Sequence, residues 1–157
     1  MDAQNRPAPR PFIGFEGTVG PDWIDINRHM NVSWYDHVFD TAEWALFGSF
    51  GMDEAYIARM QFGMFRLEKR IRYEREALEG DRLRVESRIT SFDDRLLRHT
   101  HFLFNLTKGT RSGTADYVSI HVDLSKRKSA KVTEPGLLGR LRELAASHAL
   151  LPPLEGR

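Results

Sequence analysis

The chain lacks cysteine, carries almost no net charge and has no long apolar run. With no Cys among 157 residues, it forms no disulfide, thiolate metal site or Cys nucleophile, and it suits the reducing cytoplasm, where we predict it resides. A formal net charge of +1 gives no general attraction to nucleic acid or acidic membranes, so we expect neither as a partner. No apolar stretch approaches the ~18 residues that suggest a membrane span.

The length predicts one folded domain, since domains average roughly 150 residues. A chain of this size buries enough surface to fold without a disulfide or a metal. Residues 1–11 contain three Pro but no apolar segment, so we interpret them as a flexible arm and not as a signal peptide. The domain is predicted to cover residues 12–150, with residues 151–157 as a C-terminal tail.

The spacing of apolar residues predicts an α+β domain. A short strand begins at Phe12, an amphipathic helix runs from Ser33 to Phe50, and another helix closes the chain from Gly136 to Leu150. Between the helices, apolar and polar residues alternate in four long stretches that begin at Phe65, Leu83, Leu96 and Ser112. Such long consecutive strands favour a curved antiparallel sheet with one helix held against it.

The densest polar segment in an aromatic setting precedes the first helix. Asp25, Asn27, His29 and Asn31 occupy alternate positions there. The first N–H groups of a helix have no intrahelical partner and carry the positive end of its dipole, so they can polarise a carbonyl oxygen. A neighbouring carboxylate could then act as a base or a nucleophile on that carbonyl. The alternative is a purely structural role, in which Asp25 or Asn31 only caps the helix.

The run Asp25-x-x-x-His29-Met30-Asn31-x-x-x-Tyr35 resembles the signature of hotdog-fold acyl-CoA thioesterases of the 4-hydroxybenzoyl-CoA thioesterase type. Residues 71–73 and 80–85 are similar to the strand, turn and strand of that family, and the resemblance covers about residues 12–132. The segment Pro21-x-Trp23-Ile24-Asp25 is also similar to the thioesterases of carnitine and betaine metabolism.

The resemblance implies a fold, a reaction and an assembly. The fold is a curved antiparallel sheet wrapped around one long central helix. The reaction is hydrolysis of an acyl-CoA without a cofactor or metal, with coenzyme A as part of the substrate. A short or polar acyl group, such as that of betainyl-CoA, is the first candidate, and an aromatic acyl group is the second. The assembly is a homodimer, or a tetramer of paired dimers, in which two protomers build each site.

The resemblance also implies roles for individual residues. Asp25 is the base or nucleophile, the Val32 N–H holds the thioester carbonyl, and His29 and Asn31 organise the loop. One departure from the family motif is Arg28, which stands where a glycine is usual. If the loop requires a positive φ there, either Arg28 tolerates the strain or the loop differs from that of the family. The residues expected to contact substrate are Tyr35, Phe62, Gly63 and Met64, and the bulk of Phe62 and Met64 would favour short acyl groups.

Other candidate groups have structural alternatives. Asp40 and Glu43 on the helix could replace Asp25 as the catalytic carboxylate, but a solvated or salt-bridged helix face explains them better. A metal site of His99, His101 and His121 is conceivable, but no further ligand is spaced with them, so we expect structural roles and no metal. The basic group consists of Lys126, Arg127 and Lys128. These side chains could bind the phosphates of coenzyme A. The alternative is that they form a solvated strand end without a binding role.

Two other functions compete with thioester hydrolysis. A hydratase or dehydratase on the same fold would move protons at an enoyl-CoA or hydroxyacyl-CoA. A non-catalytic acyl-CoA-binding protein would bind without releasing thiol, and such proteins usually add a DNA-binding segment for which the tails here have neither length nor charge. The sequence therefore predicts an acyl-CoA thioesterase that uses Asp25.

Overall fold

The computed structural model describes residues 8–154. Residues 1–7 of the predicted arm and 155–157 of the predicted tail lie outside this range. The strands are β1 (Phe12–Thr18), β2 (Phe62–Tyr73), β3 (Arg82–Phe92), β4 (Leu96–Asn105), β5 (Thr110–Asp123) and β6 (Lys128–Ser129). The helices are α1 (Val32–Ser49), α2 (Glu54–Met60) and α3 (Pro135–Ala149), with a single 3-10 turn at Pro21–Trp23.

One antiparallel sheet contains all the strands, in the order β1-β3-β4-β5-β2, with β6 paired to β5. Alternate residues of the central strands face inward and pack against the apolar side of α1. This inner set comprises Leu83, Val85, Leu103 and Ala115 from the sheet and Val38, Phe39 and Ala42 from the helix, all 1% exposed or less. The curved sheet thus wraps a central helix, as predicted.

The close packing of α1 on β1 depends on Gly14. A Cβ atom at this position would lie 2.8 Å from the Ala42 carbonyl oxygen. Any side chain would therefore push the helix away from the strand. The opposite edge strand, β2, meets α1 through charged groups. A bulge between Arg66 and Glu68 turns both Arg66 and Lys69 toward the helix, although they are three residues apart.

The segment of residues 74–81 connects the two distant strands β2 and β3, and it crosses the N-terminal end of α1. The Ala77 carbonyl accepts a hydrogen bond from the Met30 N–H at 2.8 Å. Asp81 anchors the end of this segment that leads into β3, since its side chain accepts hydrogen bonds from the Leu78 N–H and from Asn105. The crossing segment therefore fixes the polar loop that precedes α1.

The predicted bounds of α1 and α3 are each one residue late at both ends. Helix α2 was not predicted. Asp53 caps α2 by accepting from the Tyr56 N–H at 2.9 Å. This helix is too short for a recognisable apolar period. Within residues 8–154, none of the helices is long and apolar enough to cross a membrane.

Candidate active site

The loop before α1 is a tight turn closed by backbone hydrogen bonds. The Asp25 N–H donates to the His29 carbonyl at 3.1 Å, and the Arg28 N–H donates to the Asp25 carbonyl at 2.9 Å. Arg28 closes this turn with a φ of +64°, the left-handed conformation that glycine adopts most easily. The turn therefore does require a positive φ at this position, and Arg28 bears the strain that a glycine would avoid.

Two donors orient the Asp25 carboxylate. Oδ1 accepts from the Asn27 N–H at 2.8 Å, and Oδ2 accepts from Asn31 Nδ2 at 3.0 Å. The side chain is 20% exposed, so the group is held firmly and remains open to solvent. Asp25 does not cap the helix, which leaves lone pairs of the carboxylate for a water or a substrate.

His29 lies beside Asp25 without a hydrogen bond between them. Its Nε2 is 3.9 Å from Asp25 Oδ1, and its side chain is 36% exposed. That distance is too long for a direct hydrogen bond. The structure therefore brings His29 to the predicted site as a neighbour of the carboxylate.

Asn31 caps α1 and contacts Asp25 at the same time. Its Oδ1 accepts from the Ser33 N–H at 2.9 Å, while its Nδ2 binds Asp25. Val32 is the first residue of α1, so its N–H lacks an intrahelical acceptor. The first turn contains no acidic residue, and the positive end of the helix dipole is not neutralised from within the helix. A carbonyl oxygen placed here would be polarised.

Tyr35 lies in the core and not on an open surface. It is 3% exposed, its hydroxyl donates to the Arg75 carbonyl at 3.2 Å, and its ring meets Tyr73 edge to face with centroids 5.1 Å apart. Burial raises the pKa of Tyr35 to about 12. The structure thus places Tyr35, a predicted substrate contact, where it supports the crossing segment behind the site.

The structure separates the other predicted substrate residues from Asp25. Phe62, Gly63 and Met64 begin β2, where Phe62 pairs with Asp123, whereas the segment next to the Asp25 loop follows the far end of β2, where Tyr73 pairs with Gly113. At ~3.3 Å per residue, the two ends are roughly 36 Å apart along the strand. Phe62 and Met64 pack against the apolar cluster at the C-terminal end of α1.

The basic group of residues 126–128 lies at the same distant end. It follows β5 directly, and Lys128 pairs with Asp123 in the short β6 ladder. Arg127 lies over the Phe65 ring, 5.4 Å from its centroid. Within this chain, the basic group therefore does not reach Asp25.

Both helix carboxylates are ion-paired, as the salt-bridged alternative predicted, but Glu43 is also buried. Its side chain is 5% exposed and contacts Arg66 of β2, which also binds Asp40 at 2.9 Å. Glu43 further accepts from Ser119 Oγ at 3.2 Å. The cause is the bulged strand β2, which covers this side of α1, while Asp40 remains half exposed.

The three histidines have protein partners. His99 Nδ1 and His101 Nε2 are 2.8 Å apart, and His101 Nδ1 is 2.7 Å from Ser87 Oγ. His121 belongs to a separate pair, with Nε2 3.1 Å from the Tyr56 hydroxyl and Nδ1 2.9 Å from the Ala130 carbonyl. No group of three His, Asp or Glu side chains in the described part of the chain is arranged to hold a metal ion.

Two tryptophans beside the site were not assigned a role from the sequence. Trp23 and Trp34 stack with centroids 4.4 Å apart and planes 8° from parallel, and His37 meets Trp34 edge to face at 5.3 Å. The signal was their position, two residues before Asp25 and three after Asn31. Neither tryptophan was given a function from the sequence, because Trp23 was considered only as part of the family motif and Trp34 lies off the apolar stripe of the helix.

Solved structures share the fold of this chain. A hypothetical protein of Staphylococcus aureus, solved in complex with CoA, superposes with a TM-score of 0.84 over 97% of this chain and 94% of that protein, at 20% identity. A putative thioesterase of Pseudomonas putida superposes with a TM-score of 0.75 over 94% of each chain, at 27% identity. This fold, a curved sheet wrapped on α1, defines the class of hotdog-fold thioesterases, which hydrolyse thioester bonds.

Sequence comparisons identify the family. The model of the thioesterase-like superfamily matches residues 19–141, and the chain belongs to this family. A betainyl-CoA thioesterase of Pseudomonas aeruginosa is 30% identical over 142 residues, which cover 90% of this chain and 89% of that protein. An L-carnitine dehydrogenase/betainyl-CoA thioesterase of Agrobacterium fabrum is 32% identical over 136 residues, or 87% of this chain, and the match spans 28% of that longer relative.

Proposed function

We propose that the protein hydrolyses a short, polar acyl-CoA, with betainyl-CoA as the first candidate, to the free acid and coenzyme A. The observation that carries this proposal is the Asp25 carboxylate, oriented by two donors and joined through Asn31 to the start of α1. The names of the relatives support the choice of substrate. The reaction uses no cofactor beyond the CoA moiety of the substrate, and we propose the cytoplasm as its location.

The proposed chemistry uses Asp25 and the helix start together. The Val32 N–H polarises the thioester carbonyl and stabilises the oxyanion of the tetrahedral intermediate. As a base, Asp25 takes a proton from water while the water oxygen attacks the carbonyl carbon. As a nucleophile, Asp25 forms an acyl anhydride that water then cleaves. In both routes the C–S bond breaks, and the CoA thiolate leaves and takes up a proton.

We propose a homodimer, since the two sets of predicted site residues lie at opposite ends of β2. Strand β2 is an edge of the sheet and exposes Phe65, Leu67 and Tyr73 at 42–56%. Antiparallel pairing of two such edges about a twofold axis would bring the Phe62 end of one protomer next to the Asp25 loop of the other. The basic group of residues 126–128 would arrive with it.

The first experiment measures thiol release from a panel of acyl-CoA esters, including betainyl-CoA and 4-hydroxybenzoyl-CoA. Asp25→Asn should lower kcat/KM by about 100-fold or more, the contribution of a positioned base. Asp40→Asn is the matched control, because Asp40 is a half-exposed carboxylate on α1. No thiol release from any ester, or an unaffected Asp25→Asn enzyme, contradicts the proposal.

A second experiment tests the shared site. Asp25→Asn and Lys126→Ala/Lys128→Ala are each expected to be impaired. After the two are unfolded and refolded together in equal amounts, activity should return to about a quarter of wild type, because half of the dimers are mixed and each has one intact site. Mixed dimers without such recovery would show that the basic group does not serve the partner's Asp25.

A further inference from the structure

Trp23 and Trp34 form an aromatic pair directly at the candidate site. Their rings are parallel, with centroids 4.4 Å apart, and both side chains are half-buried. The pair is the closest aromatic stack in the described part of the chain. Both rings pack partly against the core cluster, but neither is fully buried, so part of their aromatic surface faces solvent.

Backbone hydrogen bonds tie both tryptophans to the residue that holds Asp25. The Asn31 N–H donates to the Trp23 carbonyl at 2.8 Å, and the Trp34 N–H donates to the Asn31 carbonyl at 3.0 Å. Ile24 between Trp23 and Asp25 is extended, with φ −88° and ψ 131°. In an extended segment, side chains two residues apart project to the same side, so Trp23 and Asp25 share one side of the loop.

The proposed substrate has a group that needs such a surface. In a betainyl thioester, one methylene separates the carbonyl carbon from a quaternary nitrogen, so the cation must lie next to Asp25 and Val32. A quaternary ammonium donates no hydrogen bond, and an aromatic face is its usual protein partner, with Trp the best. The Asp25 carboxylate adds negative charge on this side, and the exposed Asp22 adds a second carboxylate next to Trp23 in the sequence.

We propose that the Trp23–Trp34 pair is the subsite that binds the quaternary ammonium of the acyl group. This inference rests on the proposed thioesterase activity and adds the residues that select the acyl group. The pair attracts the cation through its ring faces and contacts the methyl groups. It thereby sets the carbonyl carbon beside Asp25 and the oxygen at the start of α1.

The test compares betainyl-CoA with its neutral isostere 3,3-dimethylbutyryl-CoA, in which carbon replaces the quaternary nitrogen. Wild type should prefer the cationic ester by about 10-fold in kcat/KM. Trp23→Leu and Trp34→Leu should bring the ratio close to one. Trp44→Leu is the control, because Trp44 is an exposed residue of the same helix, ten residues and about 15 Å further along its axis.

The ratio separates recognition from folding, since a loss of folded enzyme lowers both rates equally. If the leucine variants do not fold, Trp23→Phe and Trp34→Phe keep the ring and should give an intermediate ratio, as Phe binds cations more weakly than Trp. A wild-type ratio of one, or a ratio unchanged in the folded tryptophan variants, overturns this inference and leaves the thioesterase proposal intact. If no thiol is released from these two esters or from any ester of the panel, both the tryptophan subsite and the proposed thioesterase activity are contradicted.

Discussion

The carboxamide of Asn31 links the Asp25 carboxylate to the start of α1. Its nitrogen lies 3.0 Å from Asp25 Oδ2, and its oxygen lies 2.9 Å from the Ser33 N–H. Because the oxygen accepts from the helix, the amide must present its NH₂ group to Asp25. One side chain thus stabilises the helix start and orients the carboxylate, so its two roles are separable by substitution.

Asn31→Ser and Asn31→Ala should therefore differ in stability but not in activity. Ser caps a helix about as well as Asn, whereas Ala removes the cap and costs about 1 kcal/mol in the free energy of unfolding. Both variants remove the donor to Asp25, and we expect both to lose about 10-fold in kcat/KM, since one oriented hydrogen bond is worth ~1.5 kcal/mol. Denaturant unfolding and thiol release measure the two effects. Full activity of Asn31→Ser would refute the orienting role.

Arg28→Gly should stabilise the protein by about 0.5–1 kcal/mol. The left-handed conformation of Arg28, with φ of +64°, costs a non-glycine residue about 1–2 kcal/mol, and the greater entropy of Gly in the unfolded chain offsets part of the gain. The backbone of the turn is unchanged, so thiol release should persist. Arg28→Ala is the control, because it removes the charge and keeps the strain. A rise in stability with Arg28→Ala would show that the charge, not the backbone, is unfavourable.

The buried pair His99 and His101 makes stability depend on pH. Burial, with Arg66 nearby, lowers the pKa of His99 to about 3. Burial, followed by His99 and Arg66, holds the pKa of His101 well below its ordinary value. In the unfolded chain both titrate near 6.5. Below that pH the unfolded state binds protons that the folded state excludes, so stability is lost as the pH falls.

We expect the free energy of unfolding to fall by up to about 1.4 kcal/mol per pH unit for each of these histidines between pH 6 and pH 5. Denaturant unfolding at pH 7, 6 and 5 measures the slope. His101→Gln keeps a polar side chain next to Ser87 and should remove one histidine's share of the slope. A wild-type stability that is flat between pH 7 and 5 would mean that the pair is not buried in neutral form.

The sequence predicts local features of this fold well and distant ones poorly. Strong periodicity placed α1 and α3 within one residue of their observed bounds, and the residue types before α1 predicted a helix cap, which Asn31 provides. The sequence pattern contains no strand order, so it could not show that Phe62 lies a strand length away from Asp25. It also missed the burial of Glu43, because a helical wheel omits the strand that covers it.

Substitution of Glu43 should affect stability and activity in the opposite way to substitution of Asp25. The Glu43 carboxylate is buried against Arg66, accepts from Ser119 Oγ and lies 3.4 Å from His99 Nε2. Glu43→Gln would leave Arg66 short of a partner, which costs 3–5 kcal/mol for a fully buried pair. Because the Arg66 side chain is 25% exposed and retains Asp40, we expect a loss of about 2 kcal/mol in the free energy of unfolding. Thiol release by the folded variant should stay within about 3-fold of wild type, since within residues 8–154 no hydrogen bond or ion pair joins Glu43 to the loop of Asp25. The Asp25→Asn enzyme should show the reverse pattern, with activity lost and most stability kept. If instead Glu43→Gln abolishes thiol release in a stably folded protein, the carboxylate on α1 is the catalytic group.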